Sequence, residues 1–555
     1  MVDSISVSRM SARLFAADTD GCVRAQTATT LMVTRILTSP AMRIIGQGPL
    51  LSVVNAYRAD MRRGQWSRKC NRDQRCGGKI KSVILAICFF GLLAGCGSEP
   101  FQVDEGFFGG VAADEPRAAL IMRDILVEGG KAADAAVAGY FALSVTLPSS
   151  AGLSAAGSCL VFDPEAKRYE QLDFQAQPAS DMTNAVSLPI APRAMFALHA
   201  RYGAIRFERL IVEAEKLARF GERVSSRLAT DLQWLNPANI DDTALSVILR
   251  REDGQALVKG DVLEQSDLAG SLARLRRDGV GDLYVGQLAR MFIEGSSAVG
   301  VQIDVNRLRD ALPVWSEAGL FVHDNHDWGV VGSDPRLARK ASALLAGLLG
   351  EGAWGDMDTA ARIKRLSSDE QFGVREIAGR PTVPGATSFL VVDRHGQAVA
   401  CALGMGHPFG LVLTAANTGV ILRPAVDNGA SAAFATIAGN RNAWQVHLGA
   451  TAGGGYAAIG ALIYPLLGHY DVGASVPTAV AAARAIASTD KKTVYVEPEL
   501  SKSARLSIDV AQLTEVPAIG YANLFRCVGG IPRESESCDM VGDRRGGGLA
   551  VFERE

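Results

Sequence analysis

Charge imbalance is almost absent from this chain: 57 Lys and Arg stand against 59 Asp and Glu in 555 residues. Proteins that bind nucleic acid carry a basic excess to neutralise phosphates, so no nucleic-acid partner is expected. Aromatic residues are scarce at 6% while hydrophobic residues reach 48%, so a large core has to be built mainly from aliphatic and small side chains. Histidine is scarce too, seven in all. Its one cluster, His323-Asp324-Asn325-His326-Asp327, lacks a helical i,i+4 pair and reads as a polar turn between strands, so neither a metal nor another cofactor is expected. The longest apolar run is too short to span a bilayer comfortably, which takes about 20 residues.

That run, Val83 to Ala94, has the length of the apolar region of a secretory signal and follows a basic stretch from Arg58 to Lys81. It ends in Leu93-Ala94-Gly95-Cys96, which resembles a bacterial lipobox. The resemblance implies acylation of Cys96 and a mature protein anchored to a lipid membrane without crossing it. The expected location is the bacterial cell envelope, with the protein facing the periplasm. Residues 1–80 are read as a non-native or disordered leader, with true initiation at or near Met61, and 81–95 as the lipoprotein signal peptide. Beyond Cys96 only Cys159, Cys401, Cys527 and Cys538 remain. Export permits disulfides: Cys527 and Cys538 either close a C-terminal loop or stay free, and Cys401, inside an apolar run, reads as a small core residue.

Along the mature chain, Asp114-Glu115-Pro116 marks a helix start, and Ala119, Ile121, Met122, Ile125 and Leu126 give it an apolar face up to Gly129-Gly130. An Ala-rich helix follows from Ala132 to about Val145. Ser158 to Phe162 and Arg168 to Phe174 read as a hairpin around Asp163-Pro164-Glu165. An amphipathic helix covers Phe207 to Phe220, and the stretch from Asp358 to Arg380 turns polar. From Gly385 onward short β-rich runs take over, namely Phe389 to Asp393, Ala398 to Ala402 and Val420 to Leu422. The glycines Gly453-Gly454-Gly455 then precede a helix over about Ala457 to Leu467.

These motifs, in this order, resemble the gamma-glutamyltransferase (gamma-glutamyltranspeptidase) family over roughly Gly109 to Thr489. The resemblance implies an α+β fold, the four-layer αββα sandwich of the N-terminal-nucleophile hydrolases, with residues 96–385 as a large-subunit-like region and 386–555 as a small-subunit-like region. Family activity is gamma-glutamyl transfer and glutathione hydrolysis, carried by a threonine whose own α-amine serves as base once the chain is cut before it.

In this chain the segment matching that threonine runs Gly385-Ala386-Thr387-Ser388-Phe389. Ala386 occupies the nucleophile position and has no atom that can attack a carbonyl. Thr387 is the nearest substitute, but alternation along a strand aims its hydroxyl at the opposite face, while Ser388 has the right face one pleat further in. The resemblance also places the substrate-holding positions. Gln175 stands where the family has an arginine on the substrate carboxylate, and a neutral amide binds a carboxylate less strongly than a guanidinium does. Gly404 and Gly406 match a Thr-x-Asn pair, and Asn428 matches the aspartate that holds the substrate ammonium, with Asp427 one place off. Gly453 and Gly454 match the oxyanion-hole pair, and a glycine turn before a helix also has structural uses. The sequence therefore points to a catalytically silent member, a pseudoenzyme kept as a single chain, binding a partner it does not identify or a small gamma-glutamyl ligand. The alternative is an active hydrolase of gamma-glutamyl compounds working through a non-standard nucleophile such as Thr387; a third reading is a related exported hydrolase of altered specificity using Cys401 or Ser388.

Overall fold

A computed structural model describes residues 107–182, 186–235, 244–367, 381–426, 432–500 and 512–554. The leader, the signal segment, Cys96, Asp427 and Asn428 lie outside the described residues. Strand β1 (Phe107–Ala113) leads into helices α1 (Pro116–Val127) and α2 (Ala132–Thr146), and strands β2 (Ala156–Asp163) and β3 (Arg168–Phe174) form the expected hairpin. Helices α3 (Phe207–Phe220) and α4 (Ser226–Leu232) follow, then strands β4 (Val314–Glu317), β5 (Leu320–His323) and β6 (His326–Gly332), and helix α5 (Pro335–Glu351). The last part supplies β7 (Ala386–Asp393), β8 (Ala398–Gly404), β9 (Phe434–Asn440), β10 (Gln445–Gly453), helix α6 (Ala458–Tyr470), β11 (Tyr521–Ile531), β12 (Cys538–Gly542) and β13 (Leu549–Arg554).

Two antiparallel sheets carry the fold, one in the order β13-β1-β7-β8-β2-β3-β4 and the other β12-β11-β10-β9-β6-β5. Alternation along each strand decides which layer a side chain joins. Leu160, Phe162, Leu390, Val392, Ala400, Ala402, Ile437 and Phe525 fill the space between the sheets. The opposite face of the first sheet packs Val161, Phe389, Val391 and Val399 against α1 and α2, and Trp328, Phe434, Leu448 and Leu524 of the second sheet meet α5 and α6. The result is a helix-sheet-sheet-helix sandwich, the N-terminal-nucleophile hydrolase arrangement. All fifteen residues of α2 are buried, which explains its alanine content: a helix enclosed on every side needs small residues to approach its neighbours.

The polar pentapeptide around His323 is a turn, with Asp324 and Asn325 at φ of 47° and 60° between β5 and β6. A two-residue connection between right-twisted strands needs positive φ, and Asx residues tolerate it. Among the described residues two disulfides form, Cys527–Cys538 and Cys159–Cys401. The second leaves Cys401 a buried core residue, as read from the sequence, and removes it as a candidate nucleophile. Cys159 and Cys401 stand directly opposite one another across β2 and β8, on the same face of the sheet, which brings together two sulfurs 242 positions apart. A charged cluster ties the C-terminal end to the fold. Arg484, fully buried, pairs with Asp543 at 2.6 Å, and Arg545 bonds Glu497 through both of its oxygens at 2.7 Å.

Candidate functional site

β7 begins at Ala386 and lies between β1 and β8 in the first sheet. Ala386 joins Leu390 and Val392 in the inter-sheet core, whereas Phe389 and Val391 face α2. Thr387 thus lies on the opposite face from Ala386, fully buried, and its hydroxyl donates to Asp114 Oδ2 at 3.0 Å.

Pairing between β1 and β7 stops at Ala113 and Phe389, leaving the first backbone groups of β7 on that side without a ladder partner. Side chains fill the role. Ser388 N–H donates to Asp114 Oδ2 at 2.9 Å, and the Tyr521 hydroxyl donates to the Ala386 carbonyl at 2.9 Å. Asn523 Nδ2 donates to Asp114 Oδ1 and to Thr451 Oγ1, both at 3.0 Å. Arg227, on α4, lays its guanidinium 3.9 Å over the Tyr521 ring, donates from Nη2 to the Tyr521 oxygen at 2.5 Å, and pairs through Nε with Asp231 at 3.1 Å. Ser149 Oγ donates to Asp231 at 2.6 Å. Burial raises the carboxyl pKa of Asp114, against the lowering effect of Arg227 and the hydrogen bonds it accepts. Burial raises Asp231 in the same way, against Arg227.

The peptide entering β7 is equally fixed. Gly385, at φ of 110°, donates its N–H to Ser150 Oγ at 3.1 Å and receives the Met405 N–H on its carbonyl at 2.7 Å. Val383 N–H donates to the Gly454 carbonyl at 3.1 Å, and Thr382 Oγ1 bridges Ala518 O and Gly520 N. The segment before Ala386 therefore lies against the glycine pair. A Cβ on Gly453 would fall 2.4 Å from the Tyr521 ring, and one on Gly454 would fall 2.7 Å from the Gly520 Cα, so both glycines are required by close packing alone.

The other predicted positions disperse. Gly404 is opposite Ala386 and its carbonyl accepts from Arg423 Nε at 2.9 Å. Gly406, at φ of 79°, abuts Pro424. Gln175 spends its amide on the Gly157 carbonyl at 3.0 Å and Ser158 Oγ at 2.8 Å. Sequence reasoning missed Asp114, Arg227, Asp231, Tyr521 and Asn523. The i,i+4 spacing of Arg227 and Asp231 was a readable sign of an ion pair; their proximity to Ala386 was not. Among the described residues no group of three or more His, Cys, Asp or Glu is placed to hold a metal, and no helix is long and apolar enough to cross a membrane.

Comparison with known proteins gives a consistent picture. The family model described as gamma-glutamyltranspeptidase matches residues 118–335. The glutathione hydrolase proenzyme of Bacillus subtilis (strain 168) is 28% identical over 242 residues, 39% of this chain and 41% of that protein, so the match spans less than half of its length. The glutathione hydrolase proenzyme of Escherichia coli (strain K12) is 25% identical over 416 residues, 62% of this chain and 71% of that one. A cephalosporin acylase from Bacillus halodurans superposes with a TM-score of 0.62 at 18% identity, covering 80% of this chain and 96% of the acylase, a likeness of fold.

Proposed function

We propose that this chain, which belongs to the gamma-glutamyltranspeptidase family through residues 118–335, performs no gamma-glutamyl transfer at the family's nucleophile position and acts as a membrane-anchored binding or structural protein. One observation carries the reading. The side chain at the head of β7 is a methyl group buried in the apolar layer between the sheets, and a methyl group has no lone pair with which to attack an amide. Support comes from two other positions: Thr387 turns its hydroxyl to Asp114, and Gln175 is committed to β2. The Cys96 anchor rests on the signal-like sequence alone.

The purified mature protein is expected to release no glutamate from a gamma-glutamyl anilide or from glutathione above the rate of a heat-denatured control. Steady release would sink the proposal. A second reading has one observation in its favour, the hydrogen bond from Thr387 to a carboxylate whose proton affinity is raised by burial, an arrangement suited to a nucleophile and its base. Glutamate release abolished by Thr387→Val would establish that reading in place of the first.

A further inference from the structure

Two of the seven histidines meet at one rim of the second sheet in a contact that no catalytic reading uses. His326 opens β6 and His447 occupies an irregular position in β10, where the pairing with β11 shifts between Val446 and Leu448. Their ring centroids are 4.6 Å apart. His447 Nδ1 lies 3.2 Å from the Cys527 carbonyl, whereas His447 Nε2 and His326 Nδ1 are buried without a hydrogen-bond partner among the described residues. Gly530, at φ of 75°, closes over His447 so tightly that a Cβ there would fall 2.8 Å from Nε2. The pair thus joins three parts: the β5–β6 hairpin, β10, and the loop closed by the Cys527–Cys538 disulfide.

Charged groups of both signs surround the pair. Arg526 of β11 donates from Nη1 to the His447 carbonyl at 3.1 Å and adds a fixed cation. Asp324 in the hairpin turn accepts the Tyr470 hydroxyl at 3.0 Å, and Asp327 of β6 is paired with Arg441 at 2.8 Å. His323 of β5 packs on Tyr470 of α6, Asp539 of β12 stands opposite Arg526, and Glu534 of the disulfide loop lies against Gly529. A proton on either imidazole would add charge to a desolvated contact next to a guanidinium.

We propose that His326 and His447 form an acid-sensitive latch, which holds the β5–β6 hairpin and the loop 527–538 to the sheet rim while both rings are neutral and releases them when the rings are protonated. Burial first, then Arg526 at His326 and the His326 ring with Arg526 at His447, holds both rings below the ordinary histidine range, His447 down to about 4, against the raising effect of Asp324 on His326 and of the Cys527 and Val528 backbone on His447. A histidine whose folded value is depressed favours the closed form above its unfolded value near 6.5 and loses that contribution as pH falls toward the folded value.

Hydrogen exchange of the intact protein, corrected for the intrinsic pH dependence of exchange, tests the latch. Between about pH 7.5 and 4.5, protection of peptides covering 320–328 and 526–538 should fall by about tenfold or more, while β7 stays protected. In the His326→Gln/His447→Gln double variant the fall should vanish. If that variant does not fold, His326→Gln alone, at a half-buried position, should show a smaller fall. An equal fall in wild type and variant, or no fall in wild type, overturns the proposal.

Discussion

At the scale of single residues, the decisive position is Ala386. Replacing it with threonine adds a hydroxyl to a fully buried site in the inter-sheet core, where the nearest positions on β8, Ala402 and Gly404, have no side-chain hydrogen-bonding group. The Ala386→Thr variant is expected to remain uncut on reducing gels and to lose about 1–3 kcal/mol of stability in urea denaturation, from an unsatisfied hydroxyl and an overfilled core. Appearance of two fragments would instead mean that the surrounding groups still support chain cleavage. The face on which each β7 side chain lies was legible in the sequence, because alternation is a local rule. The bond from Asn523 to Asp114 was not, since it joins positions 409 apart and no periodicity within a window encodes which distant face will meet it.

At the scale of elements, α4 matters more than its seven residues suggest. It delivers Arg227 and Asp231 as a buried pair behind the first peptide of β7, and the arginine positions Tyr521, which caps the open edge of that strand. Removing one partner of a buried pair leaves an uncompensated charge, so Asp231→Ala should destabilise the protein by about 3–5 kcal/mol in chemical denaturation. Tyr521→Phe removes only the hydroxyl and should cost about 1–2 kcal/mol. Equal effects of the two variants would argue that the charge pair contributes no more than the hydroxyl it supports. The hairpin from β2 to β3 and the helices α1 to α3 followed from turn residues and apolar spacing. The strand pairings β1 with β7 and β7 with β8 did not, because a sheet order is set by contacts between segments far apart in the chain.

For the whole molecule, the sandwich interleaves the two sequence regions: β1 and β2, from the first, flank β7 and β8, from the second, in one sheet. The Cys159–Cys401 bridge crosses that boundary in the middle of the sheet. A Cys159→Ala/Cys401→Ala variant should unfold more easily by about 2–5 kcal/mol under non-reducing conditions, and reductant should abolish the difference from wild type. An unchanged denaturation midpoint would place the stability of the interleaved sheet in its apolar layers alone.

The same bridge governs how damage to the backbone would be seen. A protease that severs the polypeptide anywhere between positions 159 and 401 leaves both halves covalently joined through sulfur. Such a nicked molecule migrates as one species until a thiol is added, so a cut within that span shows on a gel only after reduction.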